Sequence, residues 1–202
     1  MQKKLIPIII VIALVFIGLG IYVSASRNLT PTQIMGDAYA AASSNANDPV
    51  VATYKDEQIT QSVVDYEKQN LTVMQGKTSV TDEQALNQLL QNLAMLDEAE
   101  RLGLSVTQEE VEYELNGQRK NYEDYEGVRE IVDDFCENAG ITLEQYYASM
   151  EEQLPRTILR QKLRDALGLE YCKEHGLEFT KINPPQEMLD YVDNYLNGLL
   201  DT

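Results

Sequence analysis

Apolar and polar positions are arranged in four ways along this chain, and each predicts a different element. Lys3 and Lys4 precede 19 residues without a charge, Leu5 to Val23. At about 1.5 Å per residue such a helix approaches the roughly 30 Å hydrocarbon thickness of a bilayer. The run therefore predicts a membrane span rather than a core helix, which keeps a polar stripe. From Leu29 to Pro49 periodicity dissolves into Ala, Ser, Asn, Thr and Pro, which reads as a flexible tether reaching about 25 Å. Val50 to Tyr54 and Gln58 to Thr60 are β-prone around the polar turn Lys55-Asp56-Glu57, a short hairpin. From Gln61 onward apolar residues recur every three or four positions, as in amphipathic helices.

Helix signals are frequent in this last part. Thr60 is the predicted N-cap of a helix carrying Val63, Val64, Tyr66, Leu71 and Met74. Thr81-Asp82-Glu83-Gln84 is a capping box opening a helix lined by Leu86, Leu89, Leu90, Leu93 and Leu96 and stopped at Gly103. The corner at Gly103-Leu104, with Thr107 after it, returns at Gly140-Ile141-Thr142 and more loosely at Gly176-Leu177-Glu178-Phe179-Thr180. Each predicts a glycine stop, an apolar residue tucked back, and a threonine capping the next helix. The segments between corners share little sequence, so this is reused capping chemistry rather than a repeat array. Leu143, Tyr147, Met150, Leu154 and Ile158 form a further stripe that Pro155 is expected to kink. A last helix from Pro185 to Leu200 is expected to bury Met188, Tyr191, Val192, Tyr195 and Leu199. The predicted fold is mostly α: an N-terminal transmembrane helix (5–23, within residues 1–28), a linker (29–49), and an irregular helical domain (50–202) with one short β-hairpin at its start.

Charge sets the compartment and narrows the partners. Basic residues precede the span and only Arg27 follows it closely, so the positive-inside rule keeps the N-terminus cytosolic and exports the rest. The length of the apolar run favours a retained anchor. Its small-residue end, Val23-Ser24-Ala25, favours removal after Ala25 and secretion, and both alternatives stand. Beyond residue 28 the chain has 13 basic against 33 acidic side chains, a net charge of −20. That field repels phosphate backbones and anionic head groups, which excludes nucleic acid and a polybasic membrane-surface role.

Little in the sequence resembles an active site. His175, the only histidine, stands beside the helix-stopping Gly176 and reads as a solvated helix-end residue. Cys136 and Cys172 read as two buried thiols, with a disulfide as the alternative in an oxidising compartment. No clustered metal ligands or glycine-rich phosphate loop stands out, so no cofactor, metal or small-molecule substrate is expected. Glu109, Glu110, Glu112 and Glu114, and the pair Asp133-Asp134, read as solvated surface. Asn28-Leu29-Thr30 and Asn70-Leu71-Thr72 match the glycosylation sequon, which matters only in a eukaryotic secretory route.

One stretch carries a family likeness. Val51-Ala52-Thr53-Tyr54-Lys55-Asp56-Glu57-Gln58-Ile59-Thr60, then a leucine-rich helix closing on Glu100-Arg101-Leu102-Gly103-Leu104, then Val106-Thr107-Gln108-Glu109-Glu110-Val111, resembles the N-terminal chaperone domain of the SurA and PrsA family of extracytoplasmic foldases. The hairpin departs from the family habit, with Lys55-Asp56-Glu57 where an Asn-Gly type turn is usual. The resemblance implies a helical domain that binds unfolded polypeptide. The family's parvulin-type isomerase domain is expected to be missing, since 22 residues follow Thr180 and the parvulin site uses histidines.

The remaining functional material is tyrosine and methionine. Tyr113, Tyr122, Tyr125, Tyr146, Tyr147 and Met150 are the candidate peptide-binding residues, of types suited to adaptable contact with apolar segments, with burial in the core as the competing reading. Three functions follow: a membrane-tethered extracytoplasmic chaperone for unfolded or exported polypeptides, without isomerase activity; a docking module for one partner in an envelope complex; and, least supported, a prolyl isomerase.

Overall fold

A computed structural model describes residues 30–44, 47–73, 76 and 79–200. The predicted span, the candidate cleavage site and Met74 lie outside these residues. Among those described, no helix is long and apolar enough to cross a membrane. The order is α1 (Pro31–Ser44), β1 (Val50–Tyr54), β2 (Glu57–Thr60), α2 (Gln61–Val73), α3 (Asp82–Arg101), α4 (Gln108–Asp124), α5 (Glu126–Ala139), α6 (Leu143–His175), α7 (Gln186–Asn197) and a 3-10 turn at Gly198–Leu200. Within the chain two compact units are distinguished. The first holds the residues up to Leu89 and Glu112–Gln153, the second Leu90–Val111 and Leu154 onward.

The tether is the main correction. Residues 31–44 form α1, which packs against α5 and α2 and buries Thr32, Met35, Gly36 and Ala42. Alanine-rich sequence lacks a strong apolar stripe, yet small side chains let two helix backbones approach closely. A Cβ on Gly36 would lie 2.7 Å from Asn138 Cβ and 2.9 Å from the Phe135 carbonyl oxygen. The start of α1 is tied down as well. Thr30 and Gln33 form a capping box, the Thr30 amide donating to Gln33 Oε1 at 3.0 Å and the Gln33 amide to Thr30 Oγ1 at 3.2 Å.

The hairpin forms as expected, pairing Tyr54 with Glu57, Thr53 with Gln58 and Ala52 with Ile59, with a bulge at Val51 before Val50 meets Thr60. Its two-residue turn puts Lys55 at φ 51°, a left-handed conformation that costs a non-glycine residue about 1 kcal/mol. The next helix is capped from a distance: the Ser62 amide donates to Asp48 Oδ1 at 3.0 Å and the Ser62 hydroxyl to the other oxygen of the same carboxylate. Val64, Tyr66 and Leu71 of α2 are buried in the first unit.

Three further helices open on capping boxes, at Thr81/Gln84, Thr107/Glu110 and Thr142/Gln145, each with the reciprocal amide bonds at 2.8 to 3.3 Å. Gly103, Gly140 and Gly176 all take φ near +70°, which leaves the Leu104, Ile141 and Leu177 amides free to reach back to the Ala99, Cys136 and Cys172 carbonyls. The third corner departs from expectation after its glycine. Thr180 caps no helix; its hydroxyl accepts from the Ile182 amide at 3.3 Å within a loop that runs to Pro185, where α7 begins.

Helix α6 runs through Pro155 from Leu143 to His175, losing one backbone bond within 33 residues. The leucines predicted to line α3 are only half-buried, and Ala85, Ala94, Met95 and Ala99 form its buried positions. In the second unit Met95 and Ala99 of α3 meet Leu163 and Leu167 of α6 and Val192 and Leu196 of α7. Glu98 is buried beside this core. It accepts from Arg101 at 2.6 and 2.7 Å and from the Tyr195 hydroxyl, bonds that hold its carboxyl below the usual range against the opposing effect of burial.

Candidate functional site

The candidate residues on α4, α5 and α6 lie in the first unit, and the structure sorts them by depth. Tyr146, Tyr147 and Met150 are buried on one face of α6. Tyr146 sits at the middle of an edge-on aromatic column, 5.9 Å from Phe135 and 5.4 Å from Tyr147, with Tyr39 of α1 5.7 Å beyond Phe135. Burial raises the Tyr146 phenol above its ordinary value. The same surroundings push the Cys136 thiol up to about 11, helped by the Asp133 charge. Both cysteines are free and buried. Three of the six candidates, Tyr146, Tyr147 and Met150, are thus buried side chains of the core.

Toward the surface the column changes character. Tyr122 lies 6.5 Å from Tyr147, is half-buried, and donates its hydroxyl to Asp133 Oδ1 at 2.8 Å, a bond that raises the phenol. Each of these rings takes a guanidinium over its face: Arg119 at 4.4 Å from the Tyr147 centroid and Arg129 at 5.9 Å from that of Tyr122. Arg129 also donates to the Glu123 carbonyl at 2.8 Å, satisfying an acceptor at the end of α4. These contacts join α4 to α5 around Tyr125, which is extended at φ −119° and ψ 113° between the helices. Tyr125 and Tyr113 are the two exposed candidates, at 61 % and 77 %.

Of the carboxylates read as solvated surface, Asp134 is different. It is half-buried and accepts from Thr30 Oγ1 at 2.8 Å, Thr32 Oγ1 at 2.5 Å and Gln33 Nε2 at 3.0 Å, so α1 is pinned to α5 through its capping residues. Burial raises its carboxyl, but these bonds and one from Asn138 outweigh that and leave it below the usual range. Its partners lie 101 to 104 residues away in sequence, so no local pattern announced them. Glu110 likewise does two jobs, closing the α4 capping box and pairing with Lys162 at 2.5 Å.

His175 ends α6 exposed, its Nδ1 2.8 Å from the Tyr171 carbonyl oxygen and its ring stacked 4.0 Å from that of Tyr171. Among the described residues no group of three or more histidine, cysteine or carboxylate side chains is placed to hold a metal ion. These side chains present exposed rings, arginines held over aromatic faces, and many carboxylates.

The described residues are mostly helical, with a two-stranded hairpin between α1 and α2 and corners built on glycine and threonine. The model of the SurA-like N-terminal domain matches residues 2–164, and the chain belongs to that family. The match extends on both sides of the stretch from Val51 to Val111 in which the resemblance was legible. No curated protein and no solved structure matches the chain.

Proposed function

We propose that this protein is a membrane-tethered, extracytoplasmic chaperone that holds unfolded or exported polypeptides and has no isomerase chemistry of its own. The observation that carries the reading is the SurA-like N-terminal domain across residues 2–164. The uncharged run Leu5 to Val23 behind Lys3 and Lys4 supports the anchor and its direction. The exposed rings of Tyr113 and Tyr125 support contact with clients. Because α1 begins at Pro31, the link from the end of the run is short, at most about 25 Å even fully extended, and the first unit works close to the bilayer.

The test uses the full chain in detergent micelles with an unrelated unfolded client and a prolyl peptide. Aggregation should be suppressed at stoichiometric ratios, with no isomerisation above background. Absence of both suppression and binding overturns the reading, and one stoichiometric partner recovered from membranes makes the chain a docking module of an envelope complex. Protease added outside the membrane should digest the region after residue 30, and an N-terminus at Ser26 would show removal of the anchor.

A further inference from the structure

We propose that the surface running from Tyr113 on α4 to Tyr125, just past the end of that helix, binds cationic segments of extended polypeptide, seating a guanidinium or ammonium on each exposed ring. The proposal rests on the chaperone reading and names the class of segment that the surface selects. Helices α4, α5 and α6 already use this chemistry within the fold, since Tyr147 of α6 and Tyr122 of α4 each hold an arginine over the ring. Tyr113 and Tyr125 repeat it on the surface. Among the described residues the cation–ring contacts fall on Tyr54, Tyr147 and Tyr122 and not on these two rings, and each of the two has an exposed carboxylate beside it in sequence, Glu114 for the first and Glu126 for the second.

Spacing and backbone fit an extended chain. From Tyr113 to Asp124, the last residue of α4, the helix rises about 16 Å, and Tyr125 follows in an extended conformation; an extended strand covers that rise in about five residues. Gly117 lies on α4 between the two tyrosines, one turn beyond Tyr113. Glycine weakens a helix interior, and, its own stretch of helix backbone aside, no described atom lies within 4 Å of where its Cβ would be, so packing within the fold does not require it. Bare backbone there lets another chain approach closely. Lys120, on the same face, is paired with Asp124. From residue 112 to 139 there are 9 acidic and 3 basic side chains, so the local field favours a cation.

The test measures fluorescence anisotropy of labelled unfolded peptides with the full chain in micelles. Three peptides of equal length and aromatic content carry Arg, Gln or Glu at two positions five residues apart. The Arg peptide should bind about ten-fold more tightly than the Gln peptide at low salt, with the gap shrinking as salt rises. Tyr113→Leu with Tyr125→Leu keeps the apolar surface and should abolish the gap while circular dichroism stays unchanged. Gly117→Ala should weaken the Arg peptide by obstructing close approach of its backbone. Equal binding of the Arg and Gln peptides, or a gap that survives the double substitution, overturns the proposal and leaves the chaperone reading intact. Failure of every peptide to bind removes both.

Discussion

Replacing Gly36 with alanine tests the most consequential packing feature, the docking of α1. The new Cβ would stand 2.7 Å from Asn138 Cβ, 2.9 Å from the Phe135 carbonyl oxygen and 3.0 Å from the Ala139 amide nitrogen. Carbon atoms rest at about 3.5–4.0 Å, so the contact must open by roughly 1 Å. Two of the three atoms are α5 backbone and cannot turn away by changing rotamer. Overpacking of this kind costs about 1–3 kcal/mol, and the better helix propensity of alanine returns about 1 kcal/mol. The net loss is up to about 2 kcal/mol. Gly117→Ala is the matched control, because its Cβ meets open space and only the propensity gain of about 1 kcal/mol applies. Denaturant unfolding of the full chain in micelles should shift the two variants in opposite directions. Hydrogen exchange should show protection lost in residues 31–44 only for Gly36→Ala. If Gly36→Ala is as stable as the parent with α1 exchange unchanged, the close approach of α1 and α5 is refuted.

Asp134 makes the same docking sensitive to acid. Its folded carboxyl titrates below the unfolded value of about 3.9, so its contribution is present above that value and is lost as pH falls through the folded one. Exchange protection of α1 should hold from neutral pH to about pH 5 and fall below pH 4, and Asp134→Asn should flatten that dependence. The corners separate by a simpler comparison. Thr142→Ala removes a reciprocal cap and should cost about 1 kcal/mol of stability, whereas Thr180→Ala, which uncaps no helix, should stay within about 0.5 kcal/mol, both read from thermal or denaturant midpoints.

Local signals were legible where the physics is local. A hairpin needs two β-prone runs and a turn, and 50–54 and 57–60 supplied them. Capping boxes and glycine stops are settled within six residues, so the corners at Gly103 and Gly140 fall where the pattern puts them. Gly176 stopped its helix equally well, but Pro184 and Pro185 disfavour helix in the residue before each and delayed the next start. The break at Tyr125 carried no such signal, because contacts between α4 and α5 hold it. The aromatic candidates were found as a group, yet their periodicity is the same whether a ring faces the core or water.

The chain by itself determined the helical class, the hairpin, two capped corners, the family resemblance and the surplus of acid. Tertiary structure decided that residues 31–44 are a docked helix, that the helical region is two units, and which tyrosines are buried. The physical reason is the range of the interactions. Caps, turns and periodicity act over a few residues and are written in order, whereas the approach of Gly36 to α5 and the grip of Asp134 on Thr30 and Thr32 join residues about a hundred positions apart and exist only after the chain has closed on itself.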